Sequence, residues 1–225
     1  MKKFILLMLV FLVVFALTLT GCGDNNGSKE NTEENPVNEE GEREMIETNP
    51  QIEKLVEIIT YKGVEFEIVE RLDVLWVGCV DYASNNTDES DIAATLKRFQ
   101  ELVGLSVSEN ERINPDYSAA LSINYNIDKP CGVMFAFESY SDKQDERWDL
   151  FTQPGGLWLR VAVSEETDSA LLGRQNYGLF EYFGVLSAAA RENGYRQNPD
   201  INIEIEYNCH AGTGPNYAYI PIIAE

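Results

Sequence analysis

The sequence predicts an α+β fold, a mostly antiparallel sheet packed on two helices and built from a duplicated strand–helix–strand–strand unit. Three observations lead there. Short stretches such as "INIEIEY" (201–207) alternate apolar and polar residues with the period of a half-buried strand. Two longer stretches repeat apolar residues at helical spacing. The order strand–strand, helix, strand, strand occurs once in each half of the chain, in pattern and not in residue identity.

In chain order, "PQIEKLVEII" (50–59) is a short amphipathic segment ahead of "VEFEIVERLDVLWVGCVDY" (64–82), two strand segments broken near Arg71 to Asp73. "TDESDIAATLKRFQELVGL" (87–105) opens with cap residues Thr87, Ser90 and Asp91 and continues with Ile92, Leu96, Phe99 and Val103, a helix. "DYSAALSINYN" and "CGVMFAFESY" are strands joined by a turn at "IDKP". The second half reads "WDLFTQPGGLWLRVAV", strand, Gly-rich kink, strand. A helical region over 169–195 follows, with Leu179, Tyr182, Phe183, Leu186 and Ala190 on one face and Gly173, Gly178 and Gly184 weakening it. "INIEIEYN" and "NYAYIPII" close the chain as strands around "CHAGTGP".

The N-terminus reads differently. Lys2 and Lys3 precede an apolar run from Phe4 to about Leu19, the layout of a signal peptide, with an uncleaved anchor helix as the rival. The tetrapeptide "LTGC" resembles the bacterial lipobox, which implies cleavage after residue 21 and lipidation of Cys22. Several acyl chains hold a soluble domain durably where one holds it weakly. Residues 22–50, rich in Asn, Glu and Gly, have no apolar run to offset the entropy of ordering and read as an acidic disordered tether. Residues 51–225 suffice for one domain with its own core. These features predict an extracytoplasmic, lipid-anchored bacterial protein.

A formal net charge of -21 disfavours nucleic acid and anionic lipid surfaces as partners and favours cations at long range. Cys79, Cys131 and Cys209 leave either one pair and a free thiol or three thiols. His210 is the one histidine, and beside Cys209 it makes no metal site, so no metal and no cofactor are expected. "QPGG" lacks the spacing and lysine of a P-loop, and no GxSxG elbow occurs.

Taken in order, the motifs "EIVERLDVLWVG" (67–78), "IAATLKRFQELV" (92–103), "YSAALSINYNIDKPCGVMFAFE" (117–138), "TQPGGLWLRV" (152–161), the helix end at Gly194–Tyr195, Pro199, "IEIEY" and "YIPI" resemble the GyrI-like effector-binding domain of AraC-type transcription activators. The resemblance covers roughly residues 64 to 223. It implies a pseudo-twofold pair of strand–helix–strand–strand units with a ligand pocket between the halves. An acid in the penultimate strand would meet a bulky lipophilic cation, with aromatic walls around it. That acid usually lies two residues before a tyrosine; here Glu206 immediately precedes Tyr207 and Glu204 is three before it. Either could serve, with a slight preference for Glu204. The walls it suggests are Tyr117, Phe137, Trp158, Tyr177 and Tyr182, although for each taken singly an ordinary core aromatic is the plainer reading, and Glu138 and Glu181 are secondary acids whose plainer reading is a solvent-facing position. A buried carboxyl has its pKa raised and a cation restores its charge, helped by facing rings; two wet glutamates are the plainer alternative. What precedes the domain reads as leader and tether and not as a DNA-binding helix pair.

The function expected is a membrane-tethered small-molecule binding module that captures or senses amphipathic cations. Two alternatives stand beside it: a hydrolase acting on a bound small electrophile through a pocket acid, and an interaction protein whose cavity is filled. No dedicated nucleophile is visible, so an enzyme is the less favoured reading.

Overall fold

A computed structural model describes residues 52–83, 89–106, 112–114, 117–124, 131–173, 181–207 and 216–225. Every element lies in the compact unit Thr48–Glu225. Ten strands form one antiparallel sheet: β1 (Glu53–Tyr61), β2 (Val64–Arg71), β3 (Val74–Ala83), β4 (Ala119–Ile123), β5 (Cys131–Ser139), β6 (Asp149–Gln153), β7 (Gly156–Val163), β8 (Tyr195–Gln197), β9 (Ile203–Tyr207) and β10 (Asn216–Ala224). Three helices complete the described residues: α1 (Glu89–Ser106), α2 (Glu165–Leu172) and α3 (Glu181–Glu192). The α+β class is therefore as expected from the sequence.

Two local expectations are corrected. "EKLVEII" belongs to strand β1, where the sequence suggests a short amphipathic segment. A register shift between Leu55 and Glu57 breaks its alternation, so its sequence does not read as one strand. The second helical region is two helices. Ser164 caps α2 in a reciprocal capping box with Thr167, and Gly173 ends it at φ 68, a left-handed conformation that favours glycine. The cap at Thr87 to Asp91 and the turn at "IDKP" fall outside the described residues or side chains.

The strand order β1-β2-β7-β10-β9-β4-β5-β3-β6, with β8 on β10, carries the duplication. The run β2, β3, α1, β4, β5 matches β6, β7, α3, β9, β10, and the antiparallel pair β4/β9 lies at the centre, with Leu121 opposite Ile205. The arms are exchanged: β2 of the first repeat pairs with β7 of the second, and β6 of the second with β3 of the first. This arrangement is compatible with the GyrI-like fold.

Since β2 runs into β3 through Leu72 and Asp73, and β6 into β7 through Pro154 and Gly155, the sheet folds back on itself at this crossing. The Gly155 N–H donates to Asp73 Oδ1 at 2.7 Å. A Cβ on Gly155 would stand 2.8 Å from the Arg71 carbonyl oxygen and 3.0 Å from the Leu72 carbonyl carbon, both backbone. Gly155→Ala is expected to cost about 1–3 kcal/mol by forcing the crossing apart, read as a lowered urea midpoint; an unchanged midpoint would refute this close approach.

The helices pack on one face of the sheet. Against β2, β7 and β10, α3 sets Tyr182, Leu186, Ala189 and Ala190 on Phe66, Ile68, Leu159, Val161, Ala218 and Ile220. Against β3 and β5, α1 sets Phe99 and Leu102 on Val77, Cys79, Phe135 and Phe137. The other face is concave. Three strand spacings separate β3 from β9, about 14 Å in a flat sheet, yet the Trp76 and Tyr207 ring centroids are 6.4 Å apart.

Candidate functional site

Residues opposite each other on paired strands share a face, and this settles where the two glutamates of β9 point. Glu206 is opposite Ala120 on β4 and Ala218 on β10, and Glu204 is opposite Ser122. Ala218 belongs to the cluster under α3. Both carboxylates therefore lie on the helix-bearing face, on the central strands between the part covered by α1 and the part covered by α3. Neither is fully wet: Glu204 is 5% exposed and Glu206 is half-buried.

Glu204 accepts a hydrogen bond from the Gln197 side chain, and Ser187 on α3 donates to Gln197 Oε1 at 3.5 Å. Burial pushes the Glu204 carboxyl up to about 7, against the pull of that hydrogen bond. Burial first, and the neighbouring Glu204 charge second, push Glu206 to about 7 as well. Cys131, half-buried, is held as a thiol by burial and by Glu204. Near neutral pH this face thus holds two carboxyls that a positive charge would ionise.

The suggested walls do not gather there. Phe137 shares the face but stacks into the α1 cluster, 5.6 Å from Trp148 and 6.4 Å from Phe99 between ring centroids. Tyr182 is buried on the sheet-facing side of α3 and its hydroxyl donates to Asp168. Tyr177 lies outside the described residues. Trp158 and Tyr117 belong to the concave face. Leu159 and Val161 take the helix side of β7, so Trp158 must point the other way, and the Tyr117 ring sits 5.8 Å from that of Tyr207. Of the secondary acids, Glu181 opens α3 half-buried, while Glu138 is not solvent-facing but buried on the concave face.

That face holds a charged network the sequence reading missed. Arg71 donates through Nη2 to Glu138, and its Nε lies 3.2 Å from Glu53 Oε2. Glu138 Oε2 also accepts from Tyr207 Oη and Asn114 Nδ2, each at 3.0 Å. Arg160 donates to Glu53, to Glu67 at 2.6 Å and to Tyr219 Oη at 3.0 Å. The aromatic faces already carry the protein's own cations: Arg71 stands over Tyr219 at 5.1 Å and Trp158 at 5.9 Å, and Arg160 over Tyr217 at 4.6 Å. The available signal was an arginine at alternate spacing from Trp158 in "LWLRVAV", on the same face of a buried strand.

The one-residue offset from the spacing implied by the GyrI-like resemblance also acquires a meaning. An acid two residues before a tyrosine shares its face; that position here is Ile205, which points with Tyr207 into the concave side. Glu204 and Glu206 face the opposite way, because a step of one residue reverses a strand side chain.

No family model matches this chain and no curated protein matches it. Among solved structures, it is similar to SAV2435 bound to tetraphenylphosphonium, with a TM-score of 0.50, 10% identity, and coverage of 70% of this chain and 93% of that one. A protein of Staphylococcus aureus MU50, described as a candidate bacterial transcription regulator, is similar with a TM-score of 0.49 and 14% identity over 71% of this chain and 99% of its own. Integron cassette protein VCH_CASS2, from the mobile metagenome of Vibrio cholerae, gives 0.42 and 15% over 71% and 95%. At such identities the likeness to SAV2435 is one of fold.

Proposed function

We propose that this chain is a membrane-tethered, extracytoplasmic binding module that captures or senses amphipathic cationic small molecules through Glu204 and Glu206. The observation that carries the reading is the pair of carboxyls on the central strand, both raised to about 7 by burial and sharing one face. A cation that displaces their protons converts an unfavourable burial into an ion pair. A solved protein of similar fold, SAV2435, is bound to tetraphenylphosphonium, a lipophilic cation, and the net charge of -21 draws cations to this chain. The concave face does not suit the same ligand, since two guanidinium groups already occupy its ring faces.

Thermal shift with tetraphenylphosphonium, against neutral and anionic analogues, tests the reading. At 100 times its dissociation constant the cation should stabilise the domain by about 2.7 kcal/mol, several degrees for a domain of this size. The shift should vanish in the Glu204→Gln/Glu206→Gln double variant. A shift that survives the double substitution, or one shared equally by the analogues, would remove the site.

The tether has a separate test. With Cys22 intact the chain should fractionate with membranes, and Cys22→Ser should release it or leave it unprocessed. Retention of the processed Cys22→Ser chain on membranes would exclude a lipid anchor at this residue. Among the described residues no helix is long and apolar enough to cross a membrane.

A further inference from the structure

Strands β8 and β9 lie end to end along one edge of β10, the other edge being taken by β7 as far as Ile222. Gln197 on β8 is opposite Ile222, and Glu206 on β9 is opposite Ala218. The β9 register sets Glu204 level with Ile220. Ile222, Ile220 and Ala218 all belong to the cluster under α3. Gln197, Glu204 and Glu206 therefore form one row on the helix-bearing face, at about 7 Å per step. A turn bridges the break between the two strands: the Asn198 N–H donates to the Pro221 carbonyl at 2.9 Å, and the Ile201 N–H to the Asn198 carbonyl at 3.4 Å.

The two carboxyls of the row are not equivalent. Glu204 is 5% exposed and accepts from the Gln197 side chain. Ser187 on α3 donates to Gln197 Oε1 at 3.5 Å, which turns the amide NH2 toward Glu204. The opposite setting would face an amide oxygen to a carboxylate. A donor held on a carboxylate favours its charged form. Glu206 is half-buried between Ala120 and Ala218, and among the described residues no donor reaches it. The other groups around the pair carry no charge at neutral pH: Ser122 from β4, Ser187 from α3 and the Cys131 thiol from β5.

Given the cation site proposed above, we infer that Gln197 is its positioning residue: it holds Glu204 as the standing charge, so that Glu206 keeps the pair's proton and gives it up to solvent when a cation binds. Without Gln197, burial alone would reverse the order, because Glu204 lies deeper than Glu206. Cation capture is thereby coupled to proton release from the more exposed member of the pair. The glutamine is seven residues from Glu204 in the chain, and the collinear strands make it the next side chain in the row.

Site-resolved carboxyl NMR titration of the ligand-free full chain reads the order of ionisation. Glu204 should ionise at lower pH than Glu206, and Gln197→Leu should reverse them. Calorimetry with tetraphenylphosphonium at pH 7.5, in phosphate and in Tris, counts released protons through the different ionisation enthalpies of the buffers. The parent should release protons on binding, and Glu206→Gln clearly fewer. Gln197→Leu should weaken the cation by about tenfold at pH 7.5, release more protons than the parent, and regain parent affinity at pH 9.5, where both carboxyls are ionised in either protein. A glutamine that merely supported the fold would weaken binding equally at both pH values. The inference fails if Gln197→Leu leaves the order of ionisation unchanged, if its loss of affinity persists at pH 9.5, or if Glu206→Gln releases as many protons as the parent. If the parent does not bind tetraphenylphosphonium, the cation site itself falls, and the ligand-free titration separately decides whether Gln197 holds Glu204 ionised.

Discussion

Glu138→Ala should destabilise the domain by about 3–5 kcal/mol, the usual loss when one member of a buried ion pair is removed. Native domains are stable by only about 5–15 kcal/mol, so this single change would bring the protein close to unfolding at ambient temperature. The loss is large because of what remains behind. Arg71, 3% exposed, would keep Glu53 as its ionic partner among the described residues and add Nη2 to its unpaired nitrogens. Tyr207 Oη would lose its acceptor, and Asn114 would keep only its bond to Tyr207 Oη at 2.7 Å. The Arg71→Met/Glu138→Met double variant separates charge from packing. It removes both ions and leaves Glu53 paired with Arg160, so it should be less damaging than Glu138→Ala alone. Urea denaturation of both variants decides the matter; a double variant at least as costly as Glu138→Ala would mean that the unpaired charge is not what makes the loss large.

This network also shows where the sequence stops being readable. The alternation in "IEIEY" correctly places Ile203, Ile205 and Tyr207 on one side and both glutamates on the other. The duplicated order of elements is legible for the same reason: it depends on periods and turns along the chain. Which side of the sheet bears the helices is not legible, because a strand such as β7 is largely buried on both faces, with Trp158, Leu159, Arg160 and Val161 all at 4% exposure or less. Two-sided burial erases the contrast between wet and dry residues that marks a face. A list of aromatics ordered by sequence therefore mixed the two sides, joining Trp158 and Tyr117 to glutamates that point away from them. Strand β1 was obscured by its register shift. The partners of Arg71 and Arg160 lie as far away as 67 and 107 residues, beyond the reach of any local pattern.

The other large effect is a pH dependence of opposite sign to that of ordinary carboxylates. Glu204 and Glu206 move from a reference near 4.5 to about 7 in the folded domain. Between those values the native state binds more protons than the unfolded chain, so stability falls as pH rises through the window and levels off above it. The stabilisation is fully present below about pH 4.5 and lost as pH rises through about 7. For Glu204 the difference is on the order of 3 kcal/mol, and it is smaller for the half-buried Glu206. Because each charge raises the cost of the other, the two titrate as a pair and their losses do not add. Glu204→Gln should therefore stabilise the domain at pH 8 by an amount approaching that figure and change little at pH 5; Glu206→Gln should do the same more weakly. Comparing each variant with the parent at both pH values cancels the chain's many other acids. Equal effects at pH 5 and pH 8 would show that these carboxyls titrate normally. The same protons compete with a bound cation. Tetraphenylphosphonium affinity should fall by about tenfold or more from pH 8 to pH 5.5 as the carboxyls neutralise. If stability follows the predicted course and affinity does not, the glutamates are strained by burial but are not the groups that meet the ligand.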